Sequence, residues 1–185
     1  KGEHLDGSFA KYVGGASAVS SKKSDIVEAA FVNAAFWFIP ASALKKVGGF
    51  SPLFFHYGED VDYIHRMRFY GYRVGYTPLT SGCHDRQNRP ITRETQMKLD
   101  RVYYLSVVSD LNSGLAKCLW GGLAPLKPGM LALLRGRFKE FCFYTGTSVR
   151  LLCRYLSIAE IKRFCKQGRP VFLENVHSKI KPIWS

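Results

Sequence analysis

VGGFSPLFFHYGEDVDYIHRMRFYGYRVGYTP, residues 47–78, carries most of what the sequence says about the fold. Gly48-Gly49 reads as the close of a short helix over 42–47, because glycine takes the left-handed backbone that ends a helix without steric cost. An aromatic loop follows, with Phe54, Phe55, His56 and Tyr57. From Glu59 the spacing predicts a helix to Tyr70. Val61, Ile64 and Met67 fall on one face, and Gly71 stops it. Residues 72–76 read as a short strand ended by Pro78, and a second extended piece runs to His84.

Working outward, residues 27–39 (VEAAFVNAAFWFI) form a mostly apolar run that stops at Pro40 and reads as a buried strand, or two short ones. Residues 1–25, rich in Gly, Ser and Lys, read as loop. Downstream, residues 85–89 form a polar loop, and Pro90 suits the first turn of a helix. Residues 91–112 keep a helical pattern through Met97, Val102, Leu105 and Val108. Four glycines and two prolines between 114 and 129 predict a hinge. Residues 130–156 then read as one long helix, with Gly146 as a candidate break, and 158–166 as a shorter one. The sum is a mixed α/β unit over 1–112 and a basic helical extension over 113–185.

The chain has 185 residues, 46% hydrophobic and 22% charged, which is the composition of a globular domain and excludes a disordered or collagen-like chain. Its formal net charge of +13 is unevenly placed: residues 1–84 carry 9 basic and 7 acidic side chains, residues 85–185 carry 18 and 7. The second half therefore points to an acidic partner, whether anionic lipid, a phosphate-bearing ligand or nucleic acid. No apolar run approaches the ~18 residues needed to span a bilayer, and no secretory signal opens the chain. Lys1 marks a processed chain or a piece of something longer. Five cysteines without a CxxC pair argue against a disulfide framework or zinc knuckle and for a reducing compartment.

Between 32 and 84 four features fall in order: the strand ending in Trp37, the Gly48-Gly49-Phe50 turn, the Gly58-Glu59-Asp60-Val61-Asp62 cluster, and His84. Acidic residues in a first helical turn are common caps, and a lone His at a strand end is usually structural. Taken together, over residues 9–110, the four resemble the acceptor-side half of family 2 glycosyltransferases with the GT-A fold, in particular the bacterial rhamnosyltransferase-like members. Ser51-Pro52 departs from the acidic pair usual at that position.

The resemblance implies the C-terminal half of a GT-A (nucleotide-diphospho-sugar transferase) fold. It also implies transfer of a sugar from a nucleotide-sugar donor to a carbohydrate or lipid-linked hydroxyl acceptor, with inversion, in bacterial polysaccharide assembly. An inverting transfer needs a carboxylate to take the acceptor's proton. By resemblance this is Asp60, with Glu59 orienting the acceptor or the loop. His84 stands where some members hold a divalent cation, Mn²⁺ or Mg²⁺, that neutralises the leaving diphosphate; imidazole favours Mn²⁺. Trp37 is either an aromatic against the acceptor sugar or a core tryptophan. Asp62 and Arg66, spaced i,i+4, read first as a helix-surface ion pair and second as an acceptor contact through Asp62. Arg86 and Arg89 either fork onto diphosphate oxygens or sit in an exposed loop.

The Asp-x-Asp motif that closes the family's nucleotide-binding half is not found; Asp60-Val61-Asp62, the one match, belongs to the acceptor side. The chain is thus expected to be the C-terminal part of a longer enzyme and inactive alone. The competing reading is a non-catalytic basic module for anionic membrane or nucleic acid. Nucleic acid is disfavoured, because no recognition motif accompanies the aromatics at helical spacing. The expected setting is the cytoplasm, with residues 130–156 either lying on the inner face of the membrane or packing on the core.

Overall fold

The structure, a computed structural model, describes residues 26–54, 57–77, 91–173 and 183–184. Among them are seven helices: α1 (Ala41–Val47), α2 (Glu59–Phe69), α3 (Arg93–Ser109), α4 (Leu115–Leu123), α5 (Leu126–Leu134), α6 (Phe138–Cys153) and α7 (Tyr155–Cys165). Two short strands, β1 (Val27–Glu28) and β2 (Gly75–Tyr76), pair antiparallel with Val27 opposite Tyr76. The described residues are therefore mostly helical, and the expected α/β sheet is reduced among them to this ribbon. The run 27–39 is a strand only at its first two residues, and Phe36 and Phe38 lie 61% and 96% exposed. An apolar run lacks the alternation that commits a segment to a half-buried strand.

The helices over 41–109 form close to where the sequence places them, with two corrections: α3 starts at Arg93, past Pro90, and of the expected apolar face of α2 only Ile64 is fully buried, beside Asp62, Tyr63 and Arg66. α1 opens after Pro40, whose fixed φ of −58° starts a helix, and closes at Gly48, where φ is +89° and the N–H returns to the Leu44 carbonyl at 2.8 Å. α2 ends one residue before Tyr70. α3 begins at the Thr92 cap, whose hydroxyl accepts the Thr95 N–H at 3.2 Å.

The expected hinge at 114–129 is corrected: it is α4 and α5, joined by Ala124 and Pro125 in right-handed helical conformation. The glycines there are contact points. A Cβ on Gly121 would stand 2.8 Å from Val107 Cγ1, one on Gly122 3.0 Å from Leu152 Cδ2, and one on Gly129 3.3 Å from Tyr144 Cβ. Helix backbones approach closely where side chains are absent, and that packing outweighs glycine's loss of about 1 kcal/mol in helix propensity. The long helix expected over 130–156 is corrected too. It breaks at residues 135–137, while α6 runs unbroken through Gly146.

One core cluster joins Leu53 and Phe54 of the aromatic loop to Leu105 and Val108 of α3, Leu151 of α6, Ile158 of α7 and Ile183 near the C-terminus. Helices α6 and α7 thus share a core with the loop that leads into α2. A second cluster sets Leu111 against Cys165 and Val171. Burial pushes the Cys165 thiol up to about 12, so it stays protonated and inert. Cys118, Cys142, Cys153 and Cys165 are free thiols.

Candidate functional site

The site is built on the first two turns of α2 and the carbonyl end of α1. Glu59, Asp60 and Asp62 stand in the first turn of α2, where unpaired N–H groups and the helix dipole favour carboxylates. Tyr57 and Gly58 precede them with φ of +67° and +84°. The turn is tight: a Cβ on Gly58 would stand 2.3 Å from Val102 Cγ1 and 3.0 Å from the Phe54 ring. Glycine at 58 lets the N-terminus of α2 press against α3. A left-handed tyrosine beside it is an uncommon conformation, of the kind that gathers at binding and catalytic loops.

The three carboxylates have different surroundings. Asp62 is 4% exposed and accepts from Arg66 Nε at 2.9 Å. Arg66, 1% exposed, also donates to the Val47 carbonyl at 2.9 Å and the Gly49 carbonyl at 2.7 Å. Its guanidinium lies between the rings of Tyr63 and Phe172, 4.9 and 5.5 Å from their centroids. Tyr63 Oη takes the remaining carbonyl, donating to Gly48 at 3.0 Å. Burial pushes the Tyr63 phenol up, against the opposing pull of Arg66, so it stays a neutral donor. The expected surface pair is thus corrected. Asp62 and Arg66 are buried, and they bolt α2 onto the last carbonyls of α1. Spacing i,i+4 puts two side chains on one face but does not say whether that face is wet.

Asp60 is half-buried, and one oxygen accepts its neighbour Val61's N–H at 2.8 Å. The other has no partner among the described residues. Glu59 carries a buried carboxylate oxygen, Oε2, without a hydrogen bond, and a buried acceptor is seldom left so without a ligand or water to meet it. Trp37 belongs to the same corner. Its ring stacks on Phe50 at 6.2 Å and tilts against Tyr63 at 5.8 Å, and its buried Nε1 also lacks a partner. One carboxylate is spent on architecture, therefore, while Glu59, Asp60 and Trp37 keep unused polar atoms. His84, Arg86 and Arg89 lie outside the described residues.

The floor of this corner comes from far along the chain, and nothing local in the sequence announces it. Gly49 N–H donates to the Val171 carbonyl at 2.7 Å. That carbonyl lies where a Cβ on Gly48 would be, 2.1 Å away. Tyr70, at the other end of α2, donates to the Cys165 carbonyl and accepts the Gly168 N–H at 2.8 Å. Residues 165–172 thus run under both α1 and α2.

A third polar cluster ties α2 to the helices that follow. Asp110 accepts from Asn112 N–H and Nδ2, and from Ser113 Oγ, each at 2.9 Å, with His65 Nδ1 at 3.8 Å. Burial raises its carboxyl, but these donors and His65 outweigh that and hold it below the usual aspartate value. Among the described residues no three His, Cys, Asp or Glu side chains gather as a metal site.

A family model described as Glycosyltransferase (GlcNAc) matches residues 8–110, more than half of the 185. The chain belongs to this glycosyltransferase family. The matched region takes in everything that α1, α2 and α3 supply to the corner, from Trp37 through the carboxylates of α2 to Asp110. As a glycosyltransferase it implies a sugar donor and an acceptor. No curated protein and no solved structure matches the chain. The part of the corner contributed by residues 165–172 lies beyond the matched region.

Proposed function

We propose that the α1–α2 corner is the acceptor side of an inverting glycosyl transfer of the family 2 type. Asp60 takes the proton of the acceptor hydroxyl as its oxygen attacks the anomeric carbon of a nucleotide-sugar. N-acetylglucosamine, the sugar in the family's description, is the transferred group. The observation that carries this is the division of labour within one helical turn. Asp62 is neutralised and immobilised by Arg66, whereas Asp60 stands beside it with one oxygen that has no partner among the described residues. A base must reach its proton within about 2.6–3.2 Å, and a carboxylate on a bolted helical turn is held for that task.

In this reading Asp62 positions the turn and does not touch the acceptor. Glu59 Oε2 and Trp37 Nε1, both buried and unpartnered, meet acceptor hydroxyls, and the Trp37 ring packs on the sugar face. The donor's diphosphate falls to Arg86 and Arg89, and a divalent cation would be held by His84 together with ligands outside the described residues. Among the described residues no three His, Cys, Asp or Glu side chains gather to form a cation site of their own. The donor-binding half is supplied in the intact enzyme by residues outside these 185.

In that enzyme Asp60→Asn keeps the shape and removes the base. Turnover should fall by about 10²–10⁴-fold with donor affinity unchanged. Glu59→Gln should chiefly raise the acceptor KM. Near-normal turnover of Asp60→Asn would overturn the assignment.

A further inference from the structure

α4 and α5 are built inside out. Their buried positions are Cys118, Gly121 and Gly122 on α4, then Pro125, and Gly129 and Ala132 on α5. That is a stripe at helical spacing made of small residues. The large apolar side chains face away from it. Leu115, Leu119 and Leu123 follow one another at i,i+4 on α4 and are 64%, 40% and 40% exposed. Met130 and Leu134 continue on α5, and Trp120 stands out at 74%. A helix that serves only its own core turns its leucines inward, and an exposed apolar face on this scale marks a surface with something to meet.

The charges say what it meets. From residue 111 to 139 there is no acidic residue, and Lys117, Lys127, Arg135, Arg137 and Lys139 are all exposed. At the start of α4, Leu115 also borders a cleft of about 400 Å³ whose lining includes Arg163 and Lys166, while the Lys162 ammonium in it is taken up by the Val108 and Ser113 carbonyls and Cys118 Sγ. Apolar side chains on a stretch whose charges are all cationic, with a tryptophan among them, match a surface that is greasy below and negative at its rim. Each helix has nine residues, so each is about 14 Å long, less than half of the ~30 Å hydrocarbon core. No helix among the described residues is long and apolar enough to cross. We infer that α4 and α5 lie in the plane of an anionic lipid surface, their leucines among the acyl chains and their Lys and Arg side chains at the phosphates. This moves the expected membrane face from 130–156 to 115–139, because α6 spends its inner face on Tyr144, Thr147, Ser148 and Leu151 in the core.

Sedimentation of the 185-residue chain with phosphatidylcholine vesicles, with and without about one-third phosphatidylserine, tests this. Binding should appear with the anionic vesicles and weaken at least tenfold between ~0.05 and ~0.5 M salt as screening sets in. Lys127→Gln/Arg135→Gln should weaken it about 25-fold, at roughly fivefold per charge near the surface. Lys45→Gln/Arg73→Gln, which removes two exposed charges elsewhere, should leave it within twofold. Leu119→Gln/Leu134→Gln should weaken it at least tenfold with the circular-dichroism spectrum unchanged, and Trp120 fluorescence should shift to the blue on binding in the parent but not in Trp120→Phe. A chain that stays in the supernatant at low salt overturns the inference. So does binding that ignores the leucines, which would be charge attraction alone. A dimer in light scattering that Leu134→Gln dissociates also overturns it, because the face would then belong to a second copy.

Discussion

α2 and the α4–α5 pair obey opposite rules. α2 is polar, yet it buries Asp62 and Arg66 almost completely. The α4–α5 pair is apolar, yet it buries glycines and exposes leucines and a tryptophan. Each departs from what a helix does when it only serves a core. Hydrophobicity alone did not choose the buried face in either case, since α2 buries Asp62 and Arg66 alongside Tyr63 and Ile64. In α2 the choice fell to hydrogen-bonding capacity, since α1 ends in three carbonyls that need donors and Arg66 and Tyr63 supply them. In α4 and α5 it fell to volume, since only Gly and Ala admit α3 and α6 at that distance. The lesson is to ask of each helix what its buried residues do for their neighbours before asking how apolar they are.

The contrast can be broken most sharply at Arg66. Arg66→Met keeps the bulk but strands a buried carboxylate and two carbonyls, so it should cost about 3–5 kcal/mol in urea unfolding. A cost under about 1 kcal/mol would mean that α2 is not held by its buried charge.

Asp110 stands between the two regions, fastening the end of α3 and the start of α4 to His65 of α2. Asp110→Ala should cost about 1–3 kcal/mol at neutral pH, because Asn112 and Ser113 lose a buried acceptor. The sign with pH follows from the depressed carboxyl. Its contribution is complete above the unfolded-state value of about 3.9 and drains away as pH falls through the lower folded-state value. Unfolding of parent and variant between pH 7 and 2.5 should give curves that run parallel above about pH 4 and converge below it.

The smallest effects test the inverted pair. Gly121→Ala places a methyl 2.8 Å from Val107 Cγ1 and should cost about 1–2 kcal/mol despite its better helix propensity. Leu134→Gln, at a position 80% exposed, should stay within about 0.5 kcal/mol. If the leucine matters more than the glycine, α5 is an ordinary core helix and the inversion is wrong.

What could be read in advance was local. Period, caps and terminators fixed α1, α2 and α3 within two or three residues, because each is written in neighbouring positions. The carboxylates of α2 were legible as a group, but their different surroundings were not. A wet and a dry ion pair share the same spacing, and only the facing carbonyls of α1 decide between them. The glycines and prolines of 114–129 misled because local propensity favours a hinge, and the helix contacts that overrule it lie with Val107, Tyr144 and Leu152. The same limit hid Val171 and Phe172, whose role rests on partners more than a hundred positions away.

That last contact has a consequence for how the protein is made. The end of α1 is complete only when Val171 lies on Gly48 and Gly49. A ribosome adding about 5–20 residues per second takes on the order of 6–25 s to cover the intervening stretch. For that interval the nascent corner carries its carboxylates on a turn with no floor. Residues made later therefore govern when a site made earlier takes shape, and a chain halted before Val171 would bear every residue of the matched region in an unfinished pocket.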